Sequence, residues 1–242
     1  MVNASAAVNQ PPRSAQGKVG TALVGIVCGA AWALALATPG VVQAGAQVYQ
    51  PLSASVRNSL NRSVSDHAAP FLAFATEGEA RQWLTAMSKR LASRIIDRLE
   101  REEFLVTVHY EAKRAGLDPQ LVLGIIQVES NFRKYAVSRA GARGFMQVMP
   151  FWVALIGRRD DNLFHLRTNL RYGCVILRHY LDMENGDLYR ALGRYNGSLG
   201  KAEYPTQVVR AWQRDWNYST QAAASDIDSD SDRPLKLSAA GL

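Results

Sequence analysis

The chain has 242 residues, 48% of them apolar and 20% charged, with a formal charge of +7. That length suits one domain of ordinary size with flanking segments, and the apolar share excludes a chain that is disordered throughout. The two cysteines exclude a disulfide framework, because Cys28 lies in the leader and Cys174 is then left without a mate.

Residues 1–18 carry only Arg13 and Lys18 as charges, and residues 19–37 are an uncharged run of apolar and small residues. Pro39 and Gly40 interrupt the run, and Val42-Gln43-Ala44 follows. That order is the pattern of a secretory signal over residues 1–44, cut after Ala44. A retained membrane anchor is the alternative, since the run approaches the ~20 residues that span a bilayer. Either way, export to the periplasm is expected. Residues 45–78 contain Pro51, Pro70 and several serines without a clear period, and they read as a linker or leader.

The domain is expected over residues 79–220. Trp83, Met87, Leu91 and Ile95 recur every four residues with Arg and Lys between them, which is a helical period. A second helix is expected over residues 100–115, with Phe104, Leu105 and Val108 inward and Gly116 ending it. Asp118 is a good N-cap and Pro119 suits the first helical position, so a third helix runs from there to about Ser130. Residues 131–150 are rich in Gly, Ala and Met and read as irregular. Two helices follow, over 169–183 and 187–194, joined by an Asn185-Gly186 turn and with Asp187 capping the second. A last helix near Pro205 includes Val208, Val209 and Trp212. Residues 221–242 alternate Ser and Asp without aromatics and read as a disordered acidic tail. No repeat and no convincing strand is found, so the fold class is mainly α.

Glu129 lies seven residues after Val122, four after Ile125 and three after Ile126, on one helix face. A carboxylate on an apolar face is desolvated, and the negative helix end also disfavours its charge. Both raise its pKa, as a general acid requires. A solvent-facing Glu at a helix end is the ordinary alternative. The stretch Gly141-Ala142-Arg143-Gly144-Phe145-Met146-Gln147-Val148-Met149-Pro150 combines small residues, adaptable methionines and an amide, which suits a ligand cleft and equally suits a packing loop.

Four pieces in order are recognisable: Glu129-Ser130, then Gly141-Ala142-x-Gly144-x-Met146-Gln147-x-Met149-Pro150, then Asn169-Leu170-x-x-Gly173, then Tyr195-Asn196-Gly197. Together they resemble the soluble lytic transglycosylase catalytic domain, which is similar to goose-type lysozyme, over roughly residues 100–215. The resemblance implies a lysozyme-like helical domain with a substrate cleft. It implies Glu129 as the catalytic acid and base, with Ser138, Gln147 and Met149 lining the cleft. It implies a Tyr195 hydroxyl placed to orient the carboxylate, and Asn196 supporting that turn. Asn169 and Gly173 are expected to hold helices together. The chain departs from the pattern at Arg133-Lys134, where relatives often have Asn-Pro, at Phe145 for a common leucine, and at Gly197-Ser198.

The implied chemistry is cleavage of peptidoglycan between N-acetylmuramic acid and N-acetylglucosamine, with closure of a 1,6-anhydro ring and no cofactor or metal. A hydrolytic muramidase of the same fold would need a second carboxylate, for which Asp160, Asp161, Asp182 and Glu184 are candidates. A non-catalytic peptidoglycan-binding protein of an envelope or secretion complex is the rival from another class. The charge suits an anionic partner such as peptidoglycan. Without a helix-turn-helix, zinc or RNA-binding signature, no nucleic-acid partner is expected, and a monomer is. His67, His109, His165 and His179 lack metal-ligand spacing. Cys174 reads as a buried thiol, and Trp83, Trp152, Trp212 and Trp216 read as core more readily than as sugar platforms.

Overall fold

The computed structural model describes residues 47–65 and 68–219. The expected signal over 1–44, His67 and the expected acidic tail over 221–242 lie outside the described residues. Among those described there are eight helices: α1 Ala54–Val64, α2 Glu77–Leu91, α3 Arg98–Arg114, α4 Pro119–Ser130, α5 Phe151–Ile156, α6 Leu166–Met183, α7 Leu188–Asn196 and α8 Glu203–Asp215. Strand-like pairing among them is confined to the isolated bridges Val137–Arg143 and Arg143–Val148. The fold is mainly α, as expected.

Helix α4 is the centre of the domain. Val122, Leu123, Ile125 and Ile126 have no solvent exposure, so this helix is apolar on nearly every side and must be surrounded. It packs on α3 and, most extensively, on α8. The α4–α8 approach is close at Gly124, where an added Cβ would stand 3.0 Å from the Trp212 backbone nitrogen. Side chains reinforce the pair: the Trp216 indole donates to Gln127 Oε1 (2.7 Å), and Gln127 Nε2 donates to Asp215 Oδ2 (2.7 Å).

The start of α4 follows its local chemistry. Asp118 Oδ1 accepts from Gln120 N (2.6 Å), with Pro119 at the first helical position. Gly116, at φ +66°, turns the chain out of α3. Asp187 caps α7, and Asn185 and Gly186 both take left-handed backbone in the turn before it. Trp83, Trp152 and Trp216 are buried in the core, Trp212 is half-buried, and the Cys174 thiol is buried.

Helix α1 falls inside the segment expected as a linker, and it is packed. Leu60 and Val64 are buried, Asn61 Nδ2 donates to Ile156 O (2.9 Å), and Arg114 Nη2 donates to Ser63 O (2.6 Å). Its apolar stripe, Val56-Leu60-Val64, is one residue wide among Ser, Arg and Asn, which is why periodicity did not reveal it.

Helices α1, α3 and α6 meet at Glu111, whose side chain is fully buried. It accepts from Arg114 (3.2 Å), Arg167 (3.3 Å) and Arg171 (3.1 Å), and Arg171 also donates to Val64 O (3.2 Å). Removing the acid would leave the buried Arg171 guanidinium without its counter-charge and take one partner from the part-exposed Arg114 and Arg167. Glu111→Ala is therefore expected to lower stability by about 3–5 kcal/mol, roughly 10 °C in melting temperature by calorimetry. A change below about 1 kcal/mol would mean that the arginines do not depend on it.

Candidate active site

Glu129 ends the last turn of α4, on the face that also carries Val122, Ile125 and Ile126. Its carboxyl is buried, and loss of hydration raises its pKa from 4.5 to about 8. One group works the other way. The Tyr204 hydroxyl donates to Glu129 Oε1 at 2.6 Å, which favours the ionised form. The balance leaves a carboxyl that is protonated near neutrality and can give up its proton without a large cost. Burial beside that carboxyl pushes the Tyr204 phenol well above its ordinary range, so it stays a donor.

The turn after Glu129 is strained. Asn131 and Phe132 both have left-handed backbone, at φ 48° and 62°. Asn accepts this conformation readily, but Phe does not. Packing holds it there: the Phe132 ring lies 5.9 Å from Phe104 and 5.4 Å from Trp216, and the Arg94 guanidinium sits 5.4 Å above it. Arg94 Nε also donates to Asn131 Oδ1 (3.0 Å).

The loop over residues 136–149 is folded on itself. Arg143 and Val148 exchange both backbone hydrogen bonds at 3.0 Å, Gly144 N donates to Ala136 O (2.9 Å), and Ser138 Oγ accepts from Ala142 N (3.1 Å). Helix α6 clamps this loop through the buried Asn169. Its Oδ1 accepts from Met146 N, and its Nδ2 donates to Arg143 O and Leu163 O, all at 2.8 Å. Two glycines make the clamp possible. A Cβ at Gly144 (φ +75°) would stand 2.4 Å from Asn169 Nδ2, and one at Gly173 would stand 2.3 Å from Met146 Sδ.

The residues expected from the motifs thus come together, though not all in the expected geometry. Ser138 and Met149 are half-buried on the loop. Gln147 is buried at φ 50°, and its amide donates to Ala136 O (3.1 Å) and Gly144 O (2.9 Å), so its NH2 group braces the loop. Tyr195 is fully buried, and its hydroxyl donates to Met146 O (2.7 Å), not to Glu129. The hydroxyl on the carboxyl belongs to Tyr204. Tyr195 remains close enough for the charge of Glu129 to raise its pKa further. Asn196 is buried beneath the α7 end, where Gly197 takes left-handed backbone, and its Nδ2 has no partner among the described residues.

Two residues at the site were not found from the motifs. Tyr204 reads as an ordinary tyrosine before a proline. Gln47 sits in the segment before α1, yet its carboxamide reaches the loop: Oε1 accepts from Met149 N (3.2 Å), and Nε2 donates to Gln147 O (3.5 Å).

The four candidates for a second carboxylate are engaged elsewhere. Asp160 pairs with Arg158, Asp182 with Arg178, and Glu184 with Arg190 and Arg194, while Asp161 accepts from the Tyr172 hydroxyl (2.5 Å). A cavity of about 360 Å3 lies between α1 and α6, lined by Leu60, Arg114, Val175 and His179, away from Glu129.

The buried Glu129 carboxyl, with a raised pKa and a hydroxyl donor on it, is a group able to give and take a proton near neutral pH. Residues 107–214 match the family model described as Transglycosylase SLT domain. That segment is thus similar to the transglycosylase SLT family, the family its motifs resemble. It is 34% identical over 111 residues to the "Transglycosylase" of Enterobacteria phage PRD1, covering 43% of this chain and 41% of that protein. It is 32% identical over 114 residues to the "Membrane-bound lytic murein transglycosylase C" of Haemophilus ducreyi, covering 40% of this chain and 31% of that protein. A 48-residue stretch is 54% identical to the protein of the same name in Actinobacillus pleuropneumoniae serotype 5b, covering 20% of this chain and 13% of that protein. The chain therefore spans less than half the length of these relatives.

Proposed function

We propose that this chain is a lytic murein transglycosylase. It cleaves peptidoglycan between N-acetylmuramic acid and N-acetylglucosamine without consuming water, and it leaves 1,6-anhydro-N-acetylmuramic acid ends. The observation that carries the reading is the buried carboxyl of Glu129, shifted to about pKa 8 and held by Tyr204 beside the loop over 136–149.

The protonated Glu129 gives its proton to the glycosidic oxygen as the bond to the muramoyl C1 breaks. The muramoyl acetamido group stabilises the positive charge that develops there. Glu129, now ionised, takes the proton of the same sugar's C6 hydroxyl, whose oxygen closes on C1. One group thus acts as acid and then as base, and the nucleophile is already attached to the substrate. Water would need a second carboxylate to activate it. The engagement of Asp160, Asp161, Asp182 and Glu184 elsewhere supports the ring-closing route over a muramidase.

The rim of the site suits the substrate's charge. Residues 131–150 contain Arg133, Lys134, Arg139 and Arg143 and no acid, and the three arginines are exposed. Peptidoglycan stem peptides carry carboxylates that such a rim attracts. The leader pattern of residues 1–44 supports action in the periplasm, with or without retention in the membrane. A monomer without a cofactor is sufficient for this chemistry, and service to an envelope or secretion complex is compatible with it.

Mass spectrometry of products from purified sacculi tests the reading. Ends in 1,6-anhydro-N-acetylmuramic acid are expected. Reducing ends, one water heavier, would make the enzyme a muramidase, and binding without any soluble product would make it a scaffold protein. Tyr204→Phe is expected to slow the release of product by about 10–100-fold while keeping the fold. Because the Tyr204 bond lowers the Glu129 pKa, its loss should also move the alkaline limb of the pH–rate profile upward. An unshifted limb would separate Tyr204 from the acid.

A further inference from the structure

Gln47 lies outside the family-matched segment, yet it occupies the loop beside Glu129. It is 3% exposed, while its neighbours Val48 and Tyr49 are 58% and 56% exposed. One buried carboxamide therefore latches a largely open stretch of chain, aided by an edge contact of Tyr49 on Phe151 at 5.7 Å and by Leu52, which is half-buried against the core at its far end. The groups it binds are backbone groups, Met149 N–H and Gln147 C=O. Neither has another hydrogen-bond partner among the described residues. Without Gln47, an N–H and a C=O two residues apart would be left unpaired.

The chemistry of that pair identifies what belongs there. A carboxamide satisfies it with one carbonyl acceptor and one N–H donor. The acetamido group on C2 of an N-acetylated sugar carries the same acceptor and donor on one planar unit. Such a sugar is the substrate under the function proposed above, and the present inference rests on that reading. We propose that residues 47–52 form an autoinhibitory strap, in which the Gln47 carboxamide stands in for a sugar acetamido group on Met149 N–H and Gln147 C=O and must leave before glycan binds.

The latch is weak enough to leave. It consists of neutral hydrogen bonds, one of them long at 3.5 Å, each contributing little net free energy in competition with water. A short exposed stretch with few buried contacts opens at far lower cost than the core. Glycan binding is then reduced by the fraction of molecules whose strap is open.

The test uses the full chain and its Gln47→Ala variant. Tri-N-acetylchitotriose serves as the binding probe and purified sacculi as the substrate. The variant is expected to bind the trisaccharide about tenfold more tightly and to clear sacculi faster at limiting substrate. In the parent, saturating trisaccharide is expected to raise hydrogen exchange in residues 48–52 while protecting residues 146–149. Equal affinities, together with exchange in 48–52 that does not change when 146–149 become protected, would overturn the strap and leave the transglycosylase reading intact. Weaker binding by the variant would make Gln47 a wall of the sugar site and would also overturn the strap. If neither protein binds the sugar or clears sacculi, both the function and the strap fall.

Discussion

Glu129→Gln is expected to cut the release of soluble muropeptides by about 10³-fold or more, because the amide can neither give nor take the proton that the reaction moves twice. The substitution is nearly isosteric, and Gln can still accept from the Tyr204 hydroxyl, so the site should keep its shape. Binding of glycan should therefore survive the loss of turnover. The pH behaviour follows from the same group. The parent needs Glu129 protonated to begin, so its rate should fall as pH rises past about 8.

Stability changes with the opposite interest. Folded Glu129 holds its proton up to about pH 8, whereas unfolded Glu129 releases it near 4.5. Between those values the folded state binds more protons, so stability is fully present below about 4.5 and is lost as pH rises toward 8. Gln does not titrate. The variant should therefore gain on the parent across that window, by a few kcal/mol at its upper end, in urea unfolding at pH 5 and pH 8. His109 also titrates with folding, since burial against Phe74 and Trp83 lowers it to about 4. Its contribution is present above its ordinary 6.5 and is lost as pH falls toward 4. It is common to both proteins and cancels in their difference. A parent–variant difference that stays constant with pH would mean that Glu129 is solvated and ionised, and the acid role would go with it.

The helices were legible where the chain announces them locally. Asp118-Pro119, Gly116 and Asn185-Gly186 act within a few residues, and each sits in the structure where its backbone preference requires. Helix α1 was not legible because three large apolar residues in eleven, Val56, Leu60 and Val64, give no contrast against a polar background. The site divides in the same way. Glu129 stood out because a charged residue interrupts an apolar face, a pattern that can be counted. Tyr204 and Gln47 carry no such contrast. What makes them part of the site is a fold that returns α8 to the end of α4 and brings a segment 100 residues away onto Gln147. Tyr195 shows the converse. Its position in a motif was legible, but its partner was not, because a hydroxyl reaches whichever acceptor the packing brings within 3 Å, and here that acceptor is Met146 O at 2.7 Å.

Asn169→Ala is the second large effect expected, and it should separate loop order from chemistry. Asn169 has no solvent exposure and uses three hydrogen-bonding positions on one loop and its neighbour. Truncation leaves Met146 N–H and the carbonyls of Arg143 and Leu163 buried with a partner removed. The expected cost is about 3–4 kcal/mol, read as a shift in the urea midpoint, since Met146 N–H and Leu163 C=O are stranded and each carries a desolvation penalty, while Arg143 C=O keeps Val148 N–H. Turnover on sacculi should fall as well, although Asn169 touches neither Glu129 nor Tyr204, because the loop beside the acid loses its clamp. Gly173→Ala reaches the same loop by another route, forcing a methyl group against Met146. If both substitutions act by releasing the loop, the double variant should lose less than the sum of the two single losses, because a loop already freed cannot be freed again. Full additivity would mean that Asn169 and Gly173 support α6 independently and that the loop over 136–149 holds its shape through its own hydrogen bonds.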